Sequence, residues 1–303
     1  MKKFIRIVAS LVLVGMMAAA SACIEYPYQT PGAEQQAAMG APAHIDLSGQ
    51  GITCERLAEM VHSGAIPAYV THLNLAVNYI TDITPLSDLP SLVELSLWGN
   101  SVGDLAPLRE LTDITHLNLW GNEFADLSPI AELINLVSLS VGDNLNFNGD
   151  LSVLRNFTQL TKLGLGDTWQ TLMDFSPIEV LVNLQELQLW GAGALSDISI
   201  FYNLRNMQRL TIHASNVTDF SSLSSLTNLT KLDLQQNNIY DISHINLDRL
   251  TNLTDLFLWH NQITDVTPLK GLICLTDLWL EGNLLSEAQI AELRAALPGC
   301  EIR

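Results

Sequence analysis

From residue 70 onward the apolar positions follow one repeated phrase: leucine, two variable residues, leucine, one variable residue, leucine. Its middle leucine falls at Leu73, Leu95, Leu117, Leu139, Leu163, Leu187, Leu210, Leu232, Leu256 and Leu278, at spacings of 22, 22, 22, 24, 24, 23, 22, 24 and 22. Alternation of this kind puts neighbouring side chains on opposite faces, so each phrase predicts a short strand with its leucines turned inward. Strands at a fixed period stack in parallel about 4.8 Å apart. Their inward leucines then merge into one continuous core.

Other columns keep the same period. An asparagine follows the strand at Asn78, Asn100, Asn122, Asn144, Asn237, Asn261 and Asn283, where the chain turns away. Its amide is expected to pair with backbone groups that the turn would otherwise bury unpaired. An aspartate recurs at Asp82, Asp104, Asp126, Asp150, Asp174, Asp197, Asp219, Asp241 and Asp265. The reading preferred over a calcium ladder is that each Asp caps the turn after it. Pro85, Pro107, Pro129, Pro177 and Pro268 open those turns and predict a single helical or 3₁₀ turn.

One whole unit reads LVELSLWGNSVGDLAPLRELTD over residues 92–113. This phrase resembles the leucine-rich repeat, and its 22-residue form with D-[IL]-x-P-L is similar to the bacterial internalin-type class. The resemblance covers residues 45–303. It implies an α/β repeat solenoid: a right-handed horseshoe or arc with a parallel concave sheet, short convex turns and helical end caps. Thr53 is placed to start a cap helix over about 54–63, ended by Gly64, with Leu57, Met60 and Val61 inward. Ser286 with Gln289 forms a capping box for a helix over about 287–296, burying Ile290, Leu293 and Leu297. The domain then divides into an N-cap at 45–70, about ten repeats at 71–285 and a C-cap at 286–303.

The first residues differ in kind. Lys2, Lys3 and Arg6 precede an apolar run from Ile7 to Ala20, which is short for a membrane span and suits a secretory leader. Ala20-Ser21-Ala22-Cys23 resembles the bacterial lipoprotein box, which implies a leader at 1–22 and a lipid on Cys23. The box departs from the family at Ala20, where leucine is preferred, and the same residues fit an A-x-A cleavage site that would release a secreted protein. Residues 23–44, with three prolines and no periodicity, read as a flexible tether. The address is therefore extracytoplasmic, at a bacterial membrane or cell surface, with secretion as the alternative.

Charge narrows the partners. Lys and Arg total 14 against 32 Asp and Glu, a net charge of −18, which argues against nucleic acid. With 48% apolar and 15% charged residues the chain can fill a packed core. Cys54, Cys274 and Cys300 are expected as buried free thiols, with a Cys274–Cys300 bridge as the alternative. Residues 144–155 resemble half an EF-hand loop, but Arg155 stands where the ligating Glu is needed. His72, Glu94 and His116 share one outward column and read as a solvated stripe. No catalytic motif is present, so the chain is read as non-enzymatic, without metal or cofactor. Four N-x-[ST] sequons, at Asn156, Asn216, Asn228 and Asn252, arise from the repeat phrase itself.

A ligand surface is expected on the concave face. Five of the six tryptophans occupy outward strand positions: Trp98, Trp120, Trp190, Trp259 and Trp279, joined by Phe257 and His260. Aromatic residues dominate binding hot spots, and their flat faces suit a protein or a carbohydrate ligand. Two alternatives stand beside that reading: the tryptophans were copied along with the repeats, or they stack to stiffen the sheet. Residues 139–210 are irregular, with Thr168, Ala192 and Ser215 in the Asn column, Trp169 in an enlarged loop, and Asp143 and Asp167 expected to meet on the rim. The expected function is non-catalytic recognition or adhesion by a lipid-anchored monomer. The alternative is structural scaffolding of the cell envelope.

Overall fold

A computed structural model describes residues 43–144, 146–166 and 173–303. The leader, Cys23, most of the tether, Asp167, Thr168 and Trp169 lie outside the described residues. Twelve strands form one parallel sheet whose spatial order is the chain order. They are β1 (Ala43–Asp46), β2 (Val70–Asn74), β3 (Glu94–Ser96), β4 (His116–Asn118), β5 (Ser138–Ser140), β6 (Lys162–Leu165), β7 (Glu186–Leu189), β8 (Arg209–Ile212), β9 (Lys231–Asp233), β10 (Asp255–Phe257), β11 (Asp277–Trp279) and β12 (Glu301–Ile302). Each middle leucine pairs with its counterpart on the next strand, without slip, through the 24- and 23-residue spacings. The first strand starts at Ala43, so His44 belongs to the sheet rather than to the tether.

The inward leucines are buried, among them Leu73, Leu97, Leu119, Leu163, Leu187, Leu210, Leu232, Leu256 and Leu278. Behind them the chain returns through 3₁₀ turns, and prolines occupy the first turn at Pro85, Pro107, Pro129, Pro177 and Pro268. All nine column aspartates accept, through Oδ1, the backbone N–H two residues later at 2.8 Å. This is an Asx turn leading into the 3₁₀ segment, with an apolar residue between Asp and the turn. The same downstream residue holds seven of these carboxyls below the ordinary Asp range. Its hydroxyl acts first at Asp82, Asp241 and Asp265, and its N–H first at Asp150, Asp174, Asp197 and Asp219.

The Asn column closes the other side of the turn. Asn122 Nδ2 donates to Leu119 O at 3.0 Å and to Leu97 O of the preceding repeat at 2.9 Å, while its Oδ1 accepts Val102 N–H at 2.9 Å. Asn100 repeats this with Leu97 O, Leu75 O and Ile80 N–H, and Asn261 with Leu258 O, Leu234 O and Ile239 N–H. Asn144 keeps the donor half only, and its buried Oδ1 has no partner. In the irregular stretch Ala192 is buried and Ser215 donates to Asn237. A second ladder was not foreseen: Asn135, Asn183, Asn206, Asn228 and Asn252, four residues before the middle leucine, each donate to a carbonyl of the preceding repeat, and Asn156 and Asn216 do so from other positions. The four sequon asparagines are thus structural.

Past β2–β5 and β7–β11, one residue of the outer face takes a left-handed conformation. Glycine fills it at Gly99, Gly121, Gly191 and Gly282, but Val77, Asp143, Ala214, Gln236 and His260 hold it with side chains. Both ends close as expected. Helix α1 (Cys54–His62) has Thr53 as N-cap and buries Leu57. Helix α2 (Glu287–Ala296) has the Ser286–Gln289 capping box and buries Leu293. The three described cysteines are free, but Cys274 is exposed and Cys54 and Cys300 are only half-buried, because they sit in cap and turn positions rather than in the leucine columns.

Replacing Asn122 by Ala leaves the buried Val102 N–H without its acceptor and takes one of two amide donors from each of Leu97 O and Leu119 O, and is expected to cost about 2 kcal/mol in urea unfolding. A loss below about 0.5 kcal/mol would remove the ladder from the account of stability. The depressed Asp carboxyls stabilise the fold fully above their unfolded values and lose that contribution as pH falls through the lower folded ones. Stability is therefore expected to be level above about pH 5 and to decline from about pH 4 downward. Asp→Asn at several column positions should flatten that decline, and an unchanged slope would place the titration elsewhere.

Candidate functional site

The outer face of the sheet is built from the residues between and around the leucines. Its tryptophans are half-buried rather than exposed, because each ring leans onto the next repeat. Trp98 touches the Gly121 position. Trp120 lies across Gly142 and Gly166, where a Cβ would strike its ring. Those glycines occupy the tryptophan column, so one indole covers the sites of two missing ones. Trp190 meets His213 edge-on with ring centres 4.2 Å apart.

At the far end the rings meet each other. Phe257 and Trp279 lie on β10 and β11 with centres 4.9 Å apart, and Trp259 and Trp279 at 6.2 Å. The His260 ring is 5.0 Å from Trp259 and covers Gly282, which could not carry a Cβ there. Lys231 Nζ stands 4.7 Å from the Phe257 ring centre, and the Arg303 guanidinium 4.9 Å from that of Trp279. The buried Trp279 Nε1 has no hydrogen-bond partner. The two expected clusters therefore differ: Phe257, Trp259, Trp279 and His260 converge, whereas no ring contact joins Trp98 to Trp120 among the described residues.

Two polar groupings share this face. The His44 and His72 rings stack at 3.7 Å, His72 Nε2 is 3.4 Å from Glu94 Oε1, and His116 Nδ1 is 3.8 Å from the same oxygen. The expected solvated stripe is thus a partly buried chain of contacts. Burial pushes His72 below the ordinary histidine range; Glu94 opposes this, while His44 and His116 add to it. The second grouping was missed. Glu186, His213, Asp233 and Gln235 are buried on the outer face of β7–β9 and just beyond it. His213 Nε2 lies 2.9 Å from Asp233 Oδ1, and Gln188 Nε2 donates to Glu186 at 2.8 Å. A signal was present in the sequence, since the outward column of Asn74, Ser96, Asn118, Ser140 and Gly164 changes to Gln188, Thr211 and Asp233, and the tryptophan column changes to His213 and Gln235.

Among the described residues no three His, Cys, Asp or Glu side chains are placed to hold a metal ion. The EF-hand-like segment spends its side chains on backbone: Asn146 donates to Glu123 O and Asn148 accepts from Asp150 N–H. An open depression of about 590 Å³ lies beside β3–β5, lined by Val93, Thr115, Val137, Asp113, Asn135 and Gln159, away from the aromatic cluster. Among the described residues no helix is long and apolar enough to cross a membrane.

Sheet, ladders and turns together define a leucine-rich repeat solenoid. The family profile described as leucine-rich repeats (2 copies) matches residues 70–110, 227–270 and 251–294. Among solved structures the chain is similar to internalin C2 of Listeria monocytogenes, at 28% identity over 76% of this chain and 92% of that one, with a TM-score of 0.56. A second internalin of the same organism, inlF, is 28% identical over 78% of this chain and 80% of the other, with a TM-score of 0.50. The plant peptide hormone receptor RGFR1, solved in complex with RGF2, shares the fold at 20% identity over 81% of this chain and 44% of its own, with a TM-score of 0.57. No curated protein sequence matches.

Gly166→Ala is expected to dislodge the Trp120 indole, at a cost on the order of 1–3 kcal/mol and with a red shift in tryptophan emission. In a Trp120→Ala background the same substitution should cost almost nothing. Equal costs in both backgrounds would mean that the ring is not seated on Gly166.

Proposed function

We propose that the chain is a non-catalytic recognition module outside the cytoplasm, taking a protein partner on the concave face. The observation that carries this is the ring cluster of Phe257, Trp259 and Trp279, half-buried and in mutual contact on one end of the outer face. Aromatic groups already held in place lose little entropy when a partner covers them, which is the setting of a hot spot. Likeness to two internalins at 28% identity supports an exported binding role. The domain plan is a leader at 1–22, a lipid on Cys23, a tether ending before Ala43 and the repeat domain from Ala43 to Arg303. Trp98, Trp120 and Trp190 are assigned supporting contacts along the same face, and His260 the rim of the main patch.

Envelope scaffolding is the second reading. It is favoured by Trp120 and Trp190, whose rings are spent on their own neighbours and brace the sheet.

The full chain is tested against purified surface proteins, glycans and wall polymers. A protein ligand is expected whose binding weakens at least about tenfold in Trp259→Ala/Trp279→Ala at unchanged Tm. Binding that survives the variant would move the site elsewhere, and a glycan hit would change the ligand class. No ligand at all would favour scaffolding. In the same preparations Cys23→Ser should shift the protein from the detergent phase to the aqueous phase; no shift would rule out the anchor.

A further inference from the structure

The aromatic cluster is interleaved with carboxylates. Outward residues two apart along a strand share a face. On β10 and just beyond, that row reads Asp255, Phe257, Trp259; on β11 it reads Asp277, Trp279, Glu281; on β12 it reads Glu301, Arg303. Trp279 is thus flanked along its strand by two acids and across the sheet by Phe257 and Arg303. The negative potential reaches a neighbouring thiol: burial first, then Asp277 and Glu301, push Cys300 above the ordinary cysteine range.

Such a surface favours cations. Ring faces attract ammonium and guanidinium groups, and adjacent carboxylates complete the recognition. The chain demonstrates this with its own residues. Lys231 sits over Phe257, while Arg303 sits over Trp279 and pairs with Glu301 at 2.8 Å. Side chains on one face of an extended peptide recur every 6.7 Å or so, the pitch of the rows beneath.

Resting on the recognition role proposed above, we infer that the β10–β12 end of the concave face docks an extended basic segment of a protein partner. Its arginine or lysine side chains stack on Trp259 and Trp279 and pair with Asp277 and Glu281. A net charge of −18 draws such a segment toward the chain, and the ring–carboxylate grid is what localises it.

The test titrates the full chain with hexa-arginine, hexa-citrulline and hexa-glutamate peptides, read by calorimetry and tryptophan emission. Hexa-arginine should bind at least about tenfold more tightly than hexa-citrulline, and more weakly as salt rises from about 50 to about 500 mM. Asp277→Asn/Glu281→Gln should remove most of that preference at unchanged Tm. Glu110→Gln/Glu132→Gln, which removes the same charge from exposed positions outside the grid, should leave it intact. Trp259→Ala, which keeps every carboxylate, should also weaken hexa-arginine. Equal binding of citrulline and arginine, equal loss in both charge variants, or no binding of hexa-arginine would each overturn the inference. The recognition role would survive any of these if a panel ligand is still lost in Trp259→Ala/Trp279→Ala, and would fall separately if none is.

Discussion

A chain that leaves a strand and turns sharply behind it exposes carbonyl and amide groups toward its own core. Burying them unpaired would cost more than the leucines return. The asparagine at that corner resolves the conflict by bonding its own turn, the carbonyl of the preceding repeat and an amide of the preceding repeat at once. Because two of the three partners belong to the preceding repeat, the side chain also fastens neighbours to each other. A fixed distance from strand to corner follows, and with it the columns. The Asp turns shape the return path within each repeat, and the second Asn ladder fastens the convex side from repeat to repeat.

Columns make the outer face a sequence of choices at equivalent positions, and the chain uses them unevenly. At β4–β6 one indole rests on two glycines and levels the surface. At β7–β9 buried acids and amides are tied to His213 and Arg209. At β10–β12 the rings contact each other and cations. Identical backbone thus carries three different surfaces, which fold resemblance alone does not assign.

The architecture was legible because it repeats. Leucine alternation located the strands, and the Asp, Pro and capping residues stood where their hydrogen bonds were required. The left-handed column was not read, although Trp-Gly-Asn at 98–100 and 120–122 carries the clue; Val77 and His260 at the same position hide it. The lean of Trp120 was missed because it depends on what is lacking at Gly142 and Gly166, and absences on a neighbouring repeat are invisible to a pattern read along one unit. The His213–Asp233 contact was missed because outward polar residues look alike until curvature and neighbours decide which are buried. Asn228 and Asn252 read as glycosylation sequons when their amides were already committed to the backbone.

The middle leucines stay paired from β4 to β8 although the intervening units differ in length. Among the described residues, the strand register holds across the longer units, and the outer-face positions of β4–β8 stay aligned. The register thus works as an error-correcting frame. Small insertions behind the sheet change nothing that a partner meets, while gain or loss of a whole unit lengthens or shortens the surface by one strand spacing. Contact chemistry and chain length can therefore drift independently, which gives a lineage of such proteins room to resize a binding face without redesigning it.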